Sequence, residues 1–183
     1  YPENIILGIW GDFDSSKMLE TVRNKCGGWQ RGGIIYTELP PVEFPPGGYT
    51  HLIERKDVTQ SVIVMGHRGI RRDHPDYCTA LVLSRILGAG HYSRFSRILR
   101  QEKGLAYEIW AGFITEFNYP GIFIAKAQTQ QERTSEVIKM MKQEIESIKK
   151  GVTDGELSVA KEGILNSEVF WSDTKDKIIT RLM

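Results

Sequence analysis

Leu87-Gly-Ala-Gly-His-Tyr-Ser-Arg-Phe-Ser-Arg-Ile-Leu-Arg-Gln-Glu-Lys-Gly-Leu-Ala-Tyr-Glu-Ile-Trp110 is the stretch that decides the fold of this chain. Gly88 and Gly90 interrupt the helix that precedes them, and Ser93 can then cap a short helix by accepting hydrogen bonds from its first turn. Gly104 stands where the end of a helix favours a left-handed residue. From Leu105 the apolar residues recur with a period of two, which is typical of a strand. The stretch therefore predicts a loop, a short helix, a stop and a strand.

The predicted short helix carries a row of three arginines, Arg94, Arg97 and Arg100, at a spacing of three residues. Arg100 lies in the last helical turn, and Tyr107 lies on the strand that leaves the helix. A corner between a helix and a strand can bring two such side chains into one cleft. A purely structural role is also open, in which Arg100 neutralises the helix C-terminus and Tyr107 fills a half-buried strand position.

The same stretch resembles a signature of the pitrilysin-like (M16) zinc metallopeptidases and mitochondrial processing peptidases, Leu-Gly-Gly-Gly…Ser-Arg-Leu…Arg-Glu-x-x-Gly-Leu-Ala-Tyr. It occurs here as Leu87-Gly88-Ala89-Gly90, Ser93-Arg94-Phe95 and Arg100-Gln101-Glu102-Lys103-Gly104-Leu105-Ala106-Tyr107. Among the departures from the signature, Ala89 replaces a glycine and Gln101 separates the arginine from the glutamate. Neither changes the spacing of the arginine and the tyrosine.

The resemblance implies a division of labour between two homologous domains. In this family an N-terminal domain holds zinc through His-x-x-Glu-His and a distal glutamate. The partner domain contributes an arginine and a tyrosine that reach across to the bound peptide and the tetrahedral intermediate. The matching positions here are Arg100 and Tyr107, so the chain is expected to be the C-terminal domain that binds no zinc. Its implied partners are a peptide or unfolded polypeptide substrate and a zinc-bearing domain, either in the same chain or in another subunit.

Metal-ligand spacing is missing around all four histidines, His51, His67, His74 and His91. None has a second histidine four residues away, and none has the neighbouring glutamate. We therefore predict no metal and no cofactor in this chain, with zinc in the rest of the protein or in a partner. The alternative is a catalytically inert scaffold subunit, because some relatives of this fold have lost the zinc.

The composition gives little support to several classes of function. The 183 residues carry a net charge of +1, which gives no support to nucleic-acid binding. No apolar run approaches the roughly 18 residues that a membrane span needs. The two cysteines, Cys26 and Cys78, are predicted to be buried free thiols. Residues 1–183 are predicted to form a single domain, a fragment of a longer multi-domain chain.

Apolar periodicity predicts about five strands and five helices in an α+β fold. Strands are predicted at 4–10, 49–54, 61–67, 105–115 and 121–129, and helices at 15–26, 75–87, 94–103, 132–150 and from 154. Residues 30–48 are rich in turns, and a capping box is predicted at 153–156. We expect a two-layer sandwich, in which helices pack on one face of a mostly antiparallel sheet of five or six strands. The family resemblance implies the same architecture.

Overall fold

The computed structural model describes residues 2–33, 40–43 and 47–182. Contacts divide the chain into two units, one made of Tyr1–Pro40 and Leu165–Met183 and the other of Pro41–Ile164. The main elements are α1 (Ser15–Cys26), β1 (Gln60–Arg68), α2 (Tyr77–Leu87), a π-helical segment (Ser96–Glu102), β2 (Glu108–Ile114), β3 (Ile122–Gln130), α3 (Thr134–Ser147), α4 (Asp154–Trp171) and α5 (Lys175–Leu182). Short 3₁₀ turns occur at Pro2–Asn4, Gln131–Arg133 and Ile148–Lys150.

The sheet of the second unit is antiparallel and has the strand order β1-β3-β2. Ala127 of β3 lies opposite Ile63 of β1 and Ile109 of β2, which fixes the register of all three strands. The α+β class, the antiparallel pairing and the β2–β3 hairpin are confirmed. β1 confirms the strand predicted at 61–67.

The core lies on one face of this sheet. Successive inward residues of β3, from Phe123 to Thr129, are buried, and two of them are alanines. Small residues at these positions let neighbouring elements approach the strand closely. Phe95 and Leu99 of the central stretch and Met141 of α3 are fully buried in the same cluster. Truncating such a side chain to alanine costs about 2–5 kcal/mol, so the central stretch is part of what holds the sheet together.

α2 lies against β2, and a glycine at its end makes this contact possible. The hydroxyl of Ser84 accepts a hydrogen bond of 2.9 Å from the backbone N–H of Phe113. A Cβ on Gly88 would stand only 2.2 Å from the backbone nitrogen of Ala111. Gly88 therefore ends the helix, as predicted, and is also the residue that lets the chain pass this close to the strand.

Two predicted strands are wrong, so the sheet has three strands in the described residues and not five or six. Residues 4–10 form no strand after the turn at Pro2–Asn4, and Ile6 is 69% exposed. Residues 49–54 are also irregular, with Leu52 94% exposed. An apolar run becomes a strand only where another strand satisfies its backbone N–H and C=O groups, and neither run pairs with a described strand. Part of the turn-rich stretch predicted at 30–48, residues 34–39 and 44–46, lies outside the described residues.

Helix boundaries follow the local signals closely. Asp14 caps α1 by accepting a 2.9 Å hydrogen bond from the N–H of Lys17. The capping box is confirmed: the N–H of Thr153 donates to Glu156 and the N–H of Glu156 donates to Thr153. The prediction for the cysteines is wrong in detail, because Cys26 is only partly buried and Cys78 is exposed in the first turn of α2.

One ion pair joins the central stretch to the start of α4. The guanidinium of Arg94 donates to both carboxylate oxygens of Glu156, at 2.6 and 2.9 Å. It also donates to the hydroxyl of Ser147 and the carbonyl of Gly151, at 3.1 Å each. Both charged side chains are largely shielded from solvent. Hydrogen bonding to Arg94, above all, lowers the pKa of Glu156 from 4.5 to about 2.

Replacing Arg94 with methionine should destabilise the chain by about 1–3 kcal/mol, because Glu156 loses its charged donor in a shielded position. Chemical denaturation measures the change. Arg97→Met is the matched control, since it breaks only the exposed pair with Glu102. Its cost should stay below about 1 kcal/mol. Equal costs for the two variants would contradict a structural role specific to Arg94.

The contribution of Glu156 should depend on pH in one direction. Folding lowers the pKa of this carboxyl, so its stabilisation is complete above about pH 4.5 and disappears as the pH falls through about 2. The stability difference between the wild-type chain and Glu156→Gln should therefore shrink over this range. A difference that grew on acidification would contradict the assignment.

Candidate functional site

A π-helical turn forms the middle of the central stretch. The hydroxyl of Ser93 accepts from the N–H of Ser96 at 3.3 Å and donates to the carbonyl of Gly90 at 2.7 Å. This confirms Ser93 as the cap. The wider π-helical turns then run from Ser96 to Glu102. Local π-helix is rare and occurs frequently at functional sites.

The helix ends in a backbone reversal at Gly104, which has a φ of +61°. The carbonyl of Leu99 accepts from the N–H groups of both Leu105 and Ala106, at 2.8 and 3.3 Å. The hydroxyl of Thr129 donates to the carbonyl of Leu105 at 2.6 Å. The chain leaving the helix is therefore tied both to the helix end and to β3.

This reversal shifts the start of the strand. β2 begins at Glu108, three residues later than predicted. Tyr107 lies just before it, with its backbone N–H donating to the carbonyl of Gln128 at 2.9 Å. The backbone of Tyr107 is thus fixed by β3, while its side chain is 82% exposed and does not fill a half-buried strand position.

Arg100 and Tyr107 each follow directly one of the two residues that the Leu99–Ala106 hydrogen bond joins. Arg100 is exposed in the last turn of the π-helical segment. Within the described part of the chain, neither the guanidinium nor the phenol makes a hydrogen bond or an ion pair. The corner thus places two free donors at the surface of a rigid backbone.

The three arginines of the predicted row have different surroundings. Arg94 is occupied by Glu156, as described above, and Arg97 pairs with Glu102 at 3.1 Å. Of the three, only Arg100 has no partner among the described residues. Gln101, which departs from the family signature, donates to the carbonyl of His91 at 2.9 Å. It therefore ties the helix to the preceding loop.

The residues present do not fit a zinc site. In the parts of the chain that the structure describes, no three His, Cys, Asp or Glu side chains come together as metal ligands. His67 stacks on Phe123 with ring centres 4.9 Å apart, and His74 accepts from the N–H of Asp76 at 3.1 Å. These histidines have packing and turn roles. Across the same described ranges, no helix is long and apolar enough to cross a membrane.

Sequence reasoning missed one cationic side chain. Arg72 lies in the connection between β1 and α2, with its guanidinium carbon 5.1 Å from the ring centre of Phe117 and 5.9 Å from that of Tyr77. Three arginines within five residues, at 68, 71 and 72, were a signal that this connection is more than a polar break.

Comparison with known proteins identifies the family of this chain. The family model described as "Peptidase M16 inactive domain" matches residues 1–164. The chain belongs to this family, which confirms the resemblance to the non-zinc-binding domain.

Two bacterial proteins named as zinc proteases are similar to this chain in sequence. The uncharacterized zinc protease YmxG of Bacillus subtilis is 22% identical over 91% of this chain and 39% of its own length. The uncharacterized zinc protease SCO5738 of Streptomyces coelicolor is 23% identical over 99% of this chain and 40% of its own. The chain thus spans about two fifths of these relatives.

Among solved structures, the M16 inactive domain from Pseudomonas fluorescens has a TM-score of 0.62 and 28% identity, covering 68% of this chain and 30% of its own. A protease from Helicobacter pylori has a TM-score of 0.75 at 19% identity, covering 92% of this chain and 41% of its own. The second likeness shows the fold alone.

The purified chain should hold no stoichiometric zinc, because its described histidines, cysteines and carboxylates are not gathered into a ligand set. Elemental analysis after incubation with zinc and gel filtration is the measurement. About one tightly held zinc per chain would contradict the assignment to the metal-free domain.

Proposed function

We propose that this chain is the substrate-binding, metal-free half of an M16-type zinc metalloendopeptidase, in which zinc belongs to another domain or to a partner subunit. The observation that supports this most directly is the pair Arg100 and Tyr107, which are exposed and unpartnered on a backbone fixed by the carbonyl of Leu99. Their positions match the arginine and tyrosine of the family signature.

The two side chains offer suitable chemistry for peptide hydrolysis. A peptide carbonyl gains negative charge on its oxygen when it becomes tetrahedral. A guanidinium is charged at any working pH, and a phenol is a neutral donor. When aimed at that oxygen or at a neighbouring carbonyl of the peptide, each donor lowers the barrier by a few kcal/mol.

Rigidity of the backbone makes such donors more effective. Gly104, the two bonds to Leu99 and the bond from Tyr107 to Gln128 fix where both side chains begin. The backbone therefore loses its conformational entropy during folding, and only the side chains lose conformational entropy on binding. A mobile loop would lose more of the binding energy.

A catalytically inert scaffold of the same fold is the competing function. A chain of complex III2 from Candida albicans has a TM-score of 0.73 at 15% identity, covering 94% of this chain and 42% of its own. A likeness at this identity shows the fold alone, so the choice depends on the two donors. If the chain were a scaffold, replacing Arg100 or Tyr107 would change no reaction rate.

In the complete protein with its zinc-bearing domain, Arg100→Ala and Tyr107→Phe should each lower kcat/KM for peptide cleavage by roughly tenfold to a thousandfold, the range for losing one donor to a developing oxyanion. Both residues are exposed and unpartnered, so the melting temperature should hardly change. Steady-state kinetics and thermal denaturation of the same samples give both values.

Two variants serve as matched controls. Arg97→Ala removes a charge from the same helix, and Tyr92→Phe removes a hydroxyl from a tyrosine that is 86% exposed in the preceding turn. Both should keep wild-type kinetics. If Arg97→Ala were as damaging as Arg100→Ala, the effect would come from general charge. If Tyr107→Phe cleaved peptides at the wild-type rate, its hydroxyl would have no catalytic role.

A further inference from the structure

The connection between β1 and α2 is held against the turn between β2 and β3. The N–H of Gly69 donates to the carbonyl of Gly121 at 2.6 Å, and the N–H of Gly121 donates to the carbonyl of Ile70 at 3.0 Å. The N–H of Arg72 donates to the carbonyl of Glu116 at 2.9 Å. Gly121 also passes so close to Ile114 that a Cβ there would stand 2.0 Å from its carbonyl oxygen. Three cross-links between two loops make a rigid platform at this end of the sheet.

Arg72 is the charged group that this platform presents. Its guanidinium packs on Phe117 and Tyr77, within the 6 Å at which a cation is attracted to an aromatic ring. The guanidinium carries a fork of N–H groups, and none of them has an acceptor among the described residues. Such a fork matches the two oxygens of a carboxylate.

Nearby charges leave Arg72 available. Arg71 is paired with Asp73, and the carboxylate of Asp76 lies 3.8 Å from the ring nitrogen of His74. Arg72 itself has no ion pair within the described ranges of the chain. Its side chain is exposed, so a ligand can reach it from solvent.

We propose that Arg72, supported by Phe117 and Tyr77, binds a carboxylate of the peptide substrate. The proposal rests on the proposed function, which supplies the peptide, and names a preference within it. The carboxylates of Asp73, Asp76 and Glu116 belong to the same two connections, and their charge disfavours a doubly charged phosphate more strongly than a singly charged carboxylate. The aromatic rings also provide an apolar surface for the substrate residues that flank the acidic group.

The distance along β2 sets the spacing in the substrate. Tyr107 precedes β2 and Phe117 follows it, and the strand has seven residues. The first and last residues of β2, Glu108 and Ile114, are six residue steps apart, so at about 3.3 Å per residue they lie roughly 20 Å from each other, which an extended peptide spans in about six residues. The acidic group is therefore expected about six to eight residues from the bond that is cleaved. Both an acidic side chain and a C-terminal carboxylate have this chemistry.

The test uses the complete protein and fluorescent peptides that differ in one residue. Each pair has Glu or Gln six, seven or eight residues from the cleaved bond, on either side, with an amidated C-terminus. A further pair ends at that position as a free acid or an amide. Fluorescence anisotropy at low salt, under conditions without turnover, should show roughly three- to thirtyfold tighter binding of the carboxylate member in at least one pair. The Glu/Gln pairs report a side chain, and the acid/amide pair reports a C-terminus.

Arg72→Met should reduce this ratio to about one. Arg55→Met is the matched control, because Arg55 is an exposed arginine already paired with Asp57, and it should retain the ratio. Arg72→Lys keeps the charge and the solubility but not the fork, so it should keep only part of the preference even if Arg72→Met fails to fold. A wild-type ratio of one in every pair would overturn the proposal, as would an equal loss of the ratio in Arg55→Met.

Failure of the proposed function gives a different result. If the complete protein bound the carboxylate peptides more tightly through Arg72 but Arg100→Ala and Tyr107→Phe left cleavage unchanged, the role of the corner would be wrong and the carboxylate subsite would stand. If cleavage depended on Tyr107 while both members of every pair bound alike, the corner would stand and the subsite would be wrong.

Discussion

The structure depends most on one backbone group, the carbonyl of Leu99, which accepts from the N–H groups of both Leu105 and Ala106. This double acceptance is possible because Gly104 adopts a positive φ, which other residues reach only at a cost of about 1 kcal/mol or more. It holds the end of a buried helix against the start of β2. The same reversal therefore positions both the buried residues of the central stretch and the exposed corner at Arg100 and Tyr107.

The arginines of the central stretch differ in whether they have a partner. Arg94 points to a carboxylate 62 positions away in the sequence and fixes the start of α4. Arg100 makes no hydrogen bond or ion pair with a described residue, and its only structural role would be to offset the negative end of the helix in whose last turn it lies. An exposed guanidinium without an acceptor, on a backbone that is already fixed, suits the binding role proposed for Arg100. The same reasoning separates Arg72 from Arg71, which is already neutralised by Asp73.

Local signals predicted most of the second unit. Ser93, Gly104 and the capping box at Thr153 act within a few residues, so their effects could be predicted without tertiary information. Local signals could not decide whether residues 4–10 and 49–54 form strands, because a strand needs a neighbouring strand and periodicity does not specify one. The close approach of Gly88 to Ala111, the partner of Arg94 and the aromatic support of Arg72 likewise depend on contacts between distant residues. The single domain predicted for residues 1–183 and the roles of Arg100 and Tyr107 stay predictions.

The central claim is that the corner between the π-helical segment and β2 faces the reacting bond of a peptide. Photo-cross-linking tests it most directly. A peptide with a photoreactive group at the position of the cleaved bond would be bound to the complete protein after removal of its zinc, irradiated and mapped by mass spectrometry. The account predicts a cross-link within residues 100–107 that an excess of unlabelled peptide suppresses. A suppressible cross-link confined to other parts of this chain would contradict it.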